Sequence, residues 1–123
     1  DLSHQQLDDI IDYCLRSGID GIVAGNTTRS RDGITSISKE KIEAIGNGGM
    51  SGAPLYSKNL ELVKYVHAKS EGKLPIIGVG GIMSGKDAKD MLDAGASLVE
   101  IYSGFIYEGP ALIKNINKYL ETH

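Results

Sequence analysis

The sequence is short of the features that mark several protein classes. It has one cysteine, Cys14, so no disulfide can form within it, and a reducing compartment fits that usage. No apolar run approaches the roughly 20 residues needed to span a bilayer as a helix. There is no basic, aromatic-studded tract, and the net charge of −3 argues against a nucleic-acid partner. The chain opens with Asp1-Leu-Ser-His-Gln, which is neither an initiator methionine nor a signal peptide, and this suggests a piece of a longer protein. No metal site is expected. His67 has no second histidine or cysteine at i+3 or i+4 and reads as a helix-surface or boundary residue.

What is present is ordinary soluble-domain material, 41% hydrophobic and 24% charged over 123 residues, enough for one modest core. The most informative stretch is Leu74-Pro-Ile-Ile-Gly-Val-Gly-Gly-Ile-Met-Ser-Gly85. Leu74 to Val79 reads as a parallel strand buried on both faces. Gly80 and Gly81 follow, where backbone N–H groups can be approached closely. Ser84, three residues before Asp87, reads as the N-cap of a helix over Lys86–Ala94. A strand, a glycine turn and a helix start together suit a phosphate, although many such units use glycine only for tight packing.

The remaining elements follow in order. Ser3 and Gln6 have capping-box spacing, and Leu7, Ile10, Ile11, Cys14 and Leu15 form one apolar helix face that Gly18 terminates. Cys14 on that stripe is a small core residue rather than a reactive thiol. Ile19–Ala24 is the next strand, ending in Gly25-Asn-Thr-Thr28. Residues 29–56 are irregular: a polar turn at Arg29–Gly33, a short helix near 38–45, and the glycine-rich run Gly46–Pro54. Connections of this length tend to be functional or disordered. Arg29 and Arg31 could attract a carboxylate, but solvated loop charges are the plainer reading. Helical period returns between Ser57 and about Ser70. Gly95 ends the helix after Gly80-Gly81, Leu98–Tyr102 is a third strand running into Ser103-Gly104-Phe105, and Pro110 stands near the first position of a last helix.

Alternating helices and strands imply parallel strands with helical crossovers. Three strands cannot close a barrel, which takes roughly 200 residues or more. Yet polar residues follow all three strands, and glycine turns follow the last two, as on the active face of a barrel. The expected fold class is therefore α/β, the C-terminal part (about strands 6–8 with their helices) of a (β/α)₈ TIM barrel, with residues 1–123 belonging to a single domain.

Gly25-Asn-Thr-Thr28, Gly49-Met-Ser-Gly-Ala-Pro-Leu55, Gly78-Val-Gly-Gly-Ile82 and Ile101-Tyr-Ser-Gly-Phe-Ile-Tyr-Glu-Gly-Pro110, in that order and spacing, closely resemble the dihydroorotate dehydrogenase family. The likeness covers essentially the whole chain. The Tyr102-Ser103 pair resembles the quinone-using class, while the connection from Arg29 to Asn47 is a few residues longer than that class would suggest. The resemblance implies oxidation of dihydroorotate to orotate in pyrimidine synthesis, with FMN as cofactor and a quinone as electron acceptor. It implies cofactor binding by Gly25, Gly52, Gly80, Gly81, Tyr102 and Ser103, and substrate binding by Asn26 and Thr27. Gly25 stands where relatives often have threonine, which removes a hydroxyl contact.

Each residue also has a plainer reading: Asn26 a turn cap, Ser103 an N-cap, Tyr102 a packed barrel residue. No catalytic residue is expected in this chain. The family's serine base and a flavin-contacting lysine would lie upstream, and Ser51 and Ser84 do not match the base. The family further implies peripheral membrane contact through a missing N-terminal segment, at the cytoplasmic face of the inner membrane if bacterial, otherwise a cytoplasmic location. The 123 residues alone are expected to be inactive and to self-associate through exposed strand edges. Two other functions fit the sequence: a different phosphate-binding barrel enzyme such as an aldolase or isomerase, or a non-catalytic flavin-binding half-barrel. An aldolase of that kind would more often place a lysine or acid where Asn-Thr-Thr ends the first strand.

Overall fold

The computed structural model describes residues 1–32 and 34–123. Gly33, the last residue of the expected polar turn, lies outside the described residues. Helix α1 (His4–Ser17) starts with the full capping box, Ser3 Oγ accepting from Gln6 N–H and Gln6 Oε1 accepting from Ser3 N–H, and ends on a left-handed Gly18. Strand β1 (Ile22–Ala24) follows, then α2 (Lys39–Ile45), a 3₁₀ turn at Ala53–Leu55, and α3 (Tyr56–Lys69). Next come β2 (Ile76–Val79), α4 (Gly85–Asp93), β3 (Leu98–Glu100), α5 (Ser103–Glu108) and α6 (Ala111–Thr122).

The strands form one parallel sheet in the order β1-β2-β3, with Val23 opposite Ile77, Ile77 opposite Leu98 and Val79 opposite Glu100. All three C-terminal ends therefore lie at the same end of the sheet. The two faces are unequal. Ala24, Ile76 and Gly78 are buried beneath the helices, where Ile11, Cys14, Val63, Val66, Met91, Leu112 and Ile116 complete the core. On the opposite face Val23 is 50% and Leu98 62% exposed.

Several expectations change in detail. The strands are shorter than their apolar runs suggest, and β2 alternates buried and half-buried residues instead of being covered on both sides. The apolar face of α1 is buried at Ile11 and Cys14, but Ile10 and Leu15 remain exposed because α3 is its main helical neighbour. Pro110 occupies the N-cap position of α6, not the first helical residue, and α5 is an additional helix between β3 and α6. His67 is exposed at the end of α3, where its ring covers Gly95 so closely that a Cβ there would come within 2.2 Å. No helix among the described residues is long and apolar enough to cross a membrane, and no cluster of three metal-type side chains occurs among them.

Candidate active site at the strand ends

The site is built from three strand ends and one segment, residues 49–59, that touches all of them. At the end of β1, Asn26 Oδ1 accepts the Thr27 N–H at 2.7 Å, so the amide caps its own turn and leaves its NH₂ donors outward. Thr27 lies against Gly49, where a Cβ would come 2.1 Å from Thr27 Oγ1. Met50 then pairs with Thr28 in an antiparallel bridge, through Thr28 N–H to Met50 O at 3.1 Å and Met50 N–H to Thr28 O at 2.8 Å.

The same segment next reaches the end of β3. Ser103 Oγ donates to Ser51 Oγ at 3.1 Å, and a Cβ on Gly52 would stand 3.6 Å from that of Ser103, an ordinary contact. Ser103 is thus the first residue of α5 rather than its cap. The cap is Tyr102, whose side chain makes no capping bond and is 74% exposed, so it is not packed within this chain.

Beyond Gly52 the segment covers the end of β2. Gly81 has φ +80°, and a Cβ there would sit 2.5 Å from the Tyr56 backbone nitrogen; both facts demand glycine. A Cβ on Gly80 would meet Asn59 Nδ2 at 2.2 Å. Asn59 is buried, and this amide nitrogen has no hydrogen-bond partner among the described residues. The turn after β2 also meets the start of α5, since a Cβ on Gly104 would come 2.5 Å from Ile82 O. The two glycine-bearing turns therefore converge.

The donors available there differ from the simple expectation. The start of α4 is closed by its own side chains: Ser84 Oγ accepts Asp87 N–H at 3.2 Å, and Asp87 Oδ2 accepts Met83 N–H at 3.0 Å. An acidic side chain already occupies that positive helix end. The N–H groups of Gly80 and Gly81 are among those there that reach no acceptor among the described residues. Tyr56 donates from its hydroxyl to Asp87 O at 3.0 Å, and its pKa is pushed up to about 12 by burial and by the Asp90 and Asp87 charges.

Gly25, just past β1, lies against the end of β2; a Cβ on it would lie 2.2 Å from Val79 O. A cleft of about 580 Å³ runs from this point between α1 and α3, lined by Gly25, Asn26 and Thr27 and by Asp1, Lys58 and Asn59. The last three were not among the expected site residues, and no motif spacing marks them. Arg31 takes neither expected role. Its guanidinium donates to Thr28 O at 3.1 Å, to Gly46 O at 3.4 Å and to Gly48 O, so its charge is spent on backbone carbonyls.

The sequence profile described as "Dihydroorotate dehydrogenase" matches residues 1–123. Among curated relatives, "Dihydroorotate dehydrogenase (quinone)" of Christiangramia forsetii is 49% identical over 118 residues, 96% of this chain and 33% of that protein. The protein of the same name from Shewanella pealeana is 49% identical over 116 residues, 94% of this chain and 33% of that one. The crystal structure of ligand-free DHODH from Eimeria tenella superimposes with a TM-score of 0.87 at 36% identity, covering 98% of this chain and 32% of that chain. This chain spans about a third of the length of these relatives. Its three parallel strands and covering helices are part of an α/β barrel fold. Three strand ends drawn together by one glycine-rich segment, and a match that runs from the first residue to the last, place the chain in the dihydroorotate dehydrogenase family.

Proposed function

We infer that residues 1–123 are the C-terminal segment, about strands 6–8, of one barrel domain that oxidises dihydroorotate to orotate with FMN, in the de novo synthesis of UMP. The observation that supports this most is the reach of residues 49–59 across all three strand ends, which puts the substrate turn and both glycine turns along one continuous wall. The free N–H groups of Gly80 and Gly81 fit an anion such as the FMN phosphate. In this reading Tyr102 and Ser103 complete that grip, and Gly25 and Gly52 allow close approach of the backbone to the flavin.

When bound, the flavin supplies the acceptor for the substrate's hydride. The chain's own contribution is to bind and orient. Asn26 has its carbonyl oxygen engaged by Thr27 N–H, so its NH₂ group is turned to donate to a carbonyl or carboxylate oxygen, and Thr27 adds a hydroxyl beside it. The base that takes the substrate proton is a serine outside these residues. Ser51 lacks a neighbour to activate it: its hydroxyl accepts from Ser103, and no histidine or carboxylate hydrogen-bonds to it among the described residues. The 123 residues alone therefore have no turnover and self-associate through the free edges of β1 and β3.

The relatives, quinone-type dihydroorotate dehydrogenases by name, support a quinone as electron acceptor. With it goes peripheral attachment to a membrane through a segment outside these residues, at the cytoplasmic face of the inner membrane in a bacterium. The test uses the purified full-length protein. It is expected to be yellow, to bleach with dihydroorotate in the absence of oxygen, and to regain colour with a quinone. A colourless protein that binds no flavin would refute the reading, as would a flavoprotein whose colour dihydroorotate leaves unchanged.

A further inference from the structure

Asn26 and Thr27 are both exposed and, among the described residues, hydrogen-bond only to each other, yet a substrate site requires them in one orientation. They span a gap between two fixed points. One is Ala24 at the end of β1, and the other is Thr28, which is 5% exposed in an otherwise polar loop. Every polar atom of Thr28 is engaged. Its N–H and C=O pair with Met50, its C=O also accepts from Arg31, and its hydroxyl accepts from Ser30 N–H at 3.1 Å. The hydroxyl proton goes to the Asp1 carboxylate, 3.0 Å from Oδ1 and 3.3 Å from Oδ2, and Oδ2 also accepts the Arg29 N–H at 3.3 Å. Lys58, on the first turn of α3, pairs with Asp1 Oδ1 and lies 3.3 Å from Thr28 Oγ1.

We propose that Asp1, held by Lys58, is a positioning residue for the substrate turn: its carboxylate locks Thr28, and Thr28 sets the orientation of Asn26 and Thr27. Asp1 and Lys58 are each about half exposed, so their ion pair alone adds little to folding. A carboxylate that accepts from a side-chain hydroxyl, a backbone N–H and an ammonium instead defines a geometry. Asp1 precedes α1, Thr28 follows β1 and Lys58 belongs to α3, so the lock ties three elements together at the mouth of the cleft.

The proposal rests on the reading of Asn26 and Thr27 as substrate-binding residues, and the experiment separates the two claims. In the full-length enzyme, Asp1→Ala and the shape-preserving Thr28→Val are expected to raise the KM for dihydroorotate roughly tenfold, from the loss of hydrogen bonds to a charged group. Orotate binding, read from the flavin absorbance change, should weaken in parallel, while flavin content and thermal midpoint stay at wild-type values. Lys58→Met, which spares the Asp1–Thr28 bond, should change KM by about threefold or less. Asn26→Ala tests the underlying reading: an unchanged KM would remove it. If Asn26→Ala weakens substrate binding while Asp1→Ala and Thr28→Val stay within about twofold of wild type, the positioning role is overturned. Equal loss of flavin and orotate binding in these two variants would also overturn it, because that marks general loosening. Should Asp1→Ala fail to fold, Thr28→Val decides alone.

Discussion

The two faces of the sheet were made from the same three strands and are treated in opposite ways. One carries Ala24, Ile76 and Gly78 under α3 and α4, with α1 and α6 sealing the sides, and has no exposed large residue. The other carries Val23, Leu98 and Glu100, all exposed, with Ile77 and Val79 only half-buried between them. Alternation along a strand makes this possible, since successive side chains point to opposite faces. The chain thus supplies a complete outer layer and leaves the inner one to be filled, which is how a segment of a closed barrel must look before the remaining strands join it.

The largest effect that tests this contrast lies on the covered face. Ile76 is fully buried, and Ile76→Ala is expected to cost about 2–5 kcal/mol of unfolding free energy, measured by urea denaturation of the full-length protein. A loss below about 1 kcal/mol would show that the helix layer can collapse onto the gap. The open face gives the sharper comparison. In the 123-residue chain, Leu98→Ala should shift stability by no more than ~0.5 kcal/mol, as for a surface position. In the full-length protein the same change should cost about 2–5 kcal/mol if the barrel closes over Leu98. Equal effects in both settings would break the inference that this face becomes an interior.

Asn59 comes next in size. A buried amide nitrogen without a partner costs roughly 1–3 kcal/mol, so Asn59→Leu, similar in volume, is expected to raise the urea midpoint of flavin-free protein. If instead it lowers the midpoint, the amide is satisfied by water or by a neighbour that the bonding pattern omits.

The smallest effect concerns the seam between α1 and α3. The Tyr65 hydroxyl donates to Asp8 at 2.6 Å and Lys69 lies 3.1 Å from the other carboxylate oxygen; the first of these, then the second, holds Asp8 below its ordinary carboxylate range. A carboxyl depressed in the folded state stabilises above its unfolded pKa, and that contribution disappears as pH falls through the folded value. Tyr65→Phe should therefore narrow the difference in thermal midpoint between pH 7 and about pH 3. An unchanged difference would assign the acid sensitivity to other carboxylates.

What could be read from the sequence was mostly local. The Ser3–Gln6 capping box, the Gly18 stop and the Ser84 cap are written within four residues each, and all formed as expected. Cys14 joined the core because its helical stripe placed it there. The parallel order followed from alternation of elements, and with it the gathering of the strand ends. Helix α5 was not legible: its N-cap Tyr102 offers no capping bond, and Gly104 within it makes sense only once the Ile82 carbonyl is known to press on it. Arg31 looked like a free loop charge because nothing in its neighbourhood announces three carbonyl oxygens brought from 28, 46 and 48. Asp1 and Lys58 stand 57 residues apart and share no motif, so only tertiary structure joins them to Thr28.

The bridge between Thr28 and Met50, with Arg31 drawing in the carbonyls of Gly46 and Gly48, closes the neck of the excursion that contains α2. Whatever lies beyond a closed neck is mechanically isolated from the pocket. Its length then matters little, because doubling a flexible loop adds only about 0.6 kcal/mol of closure entropy. Members of the family can therefore be expected to differ freely in the number of residues between those two positions while keeping the same wall of glycines behind them. A designer seeking a place to graft a foreign peptide into this protein would find it there, around Lys39–Ile45, rather than at either glycine turn.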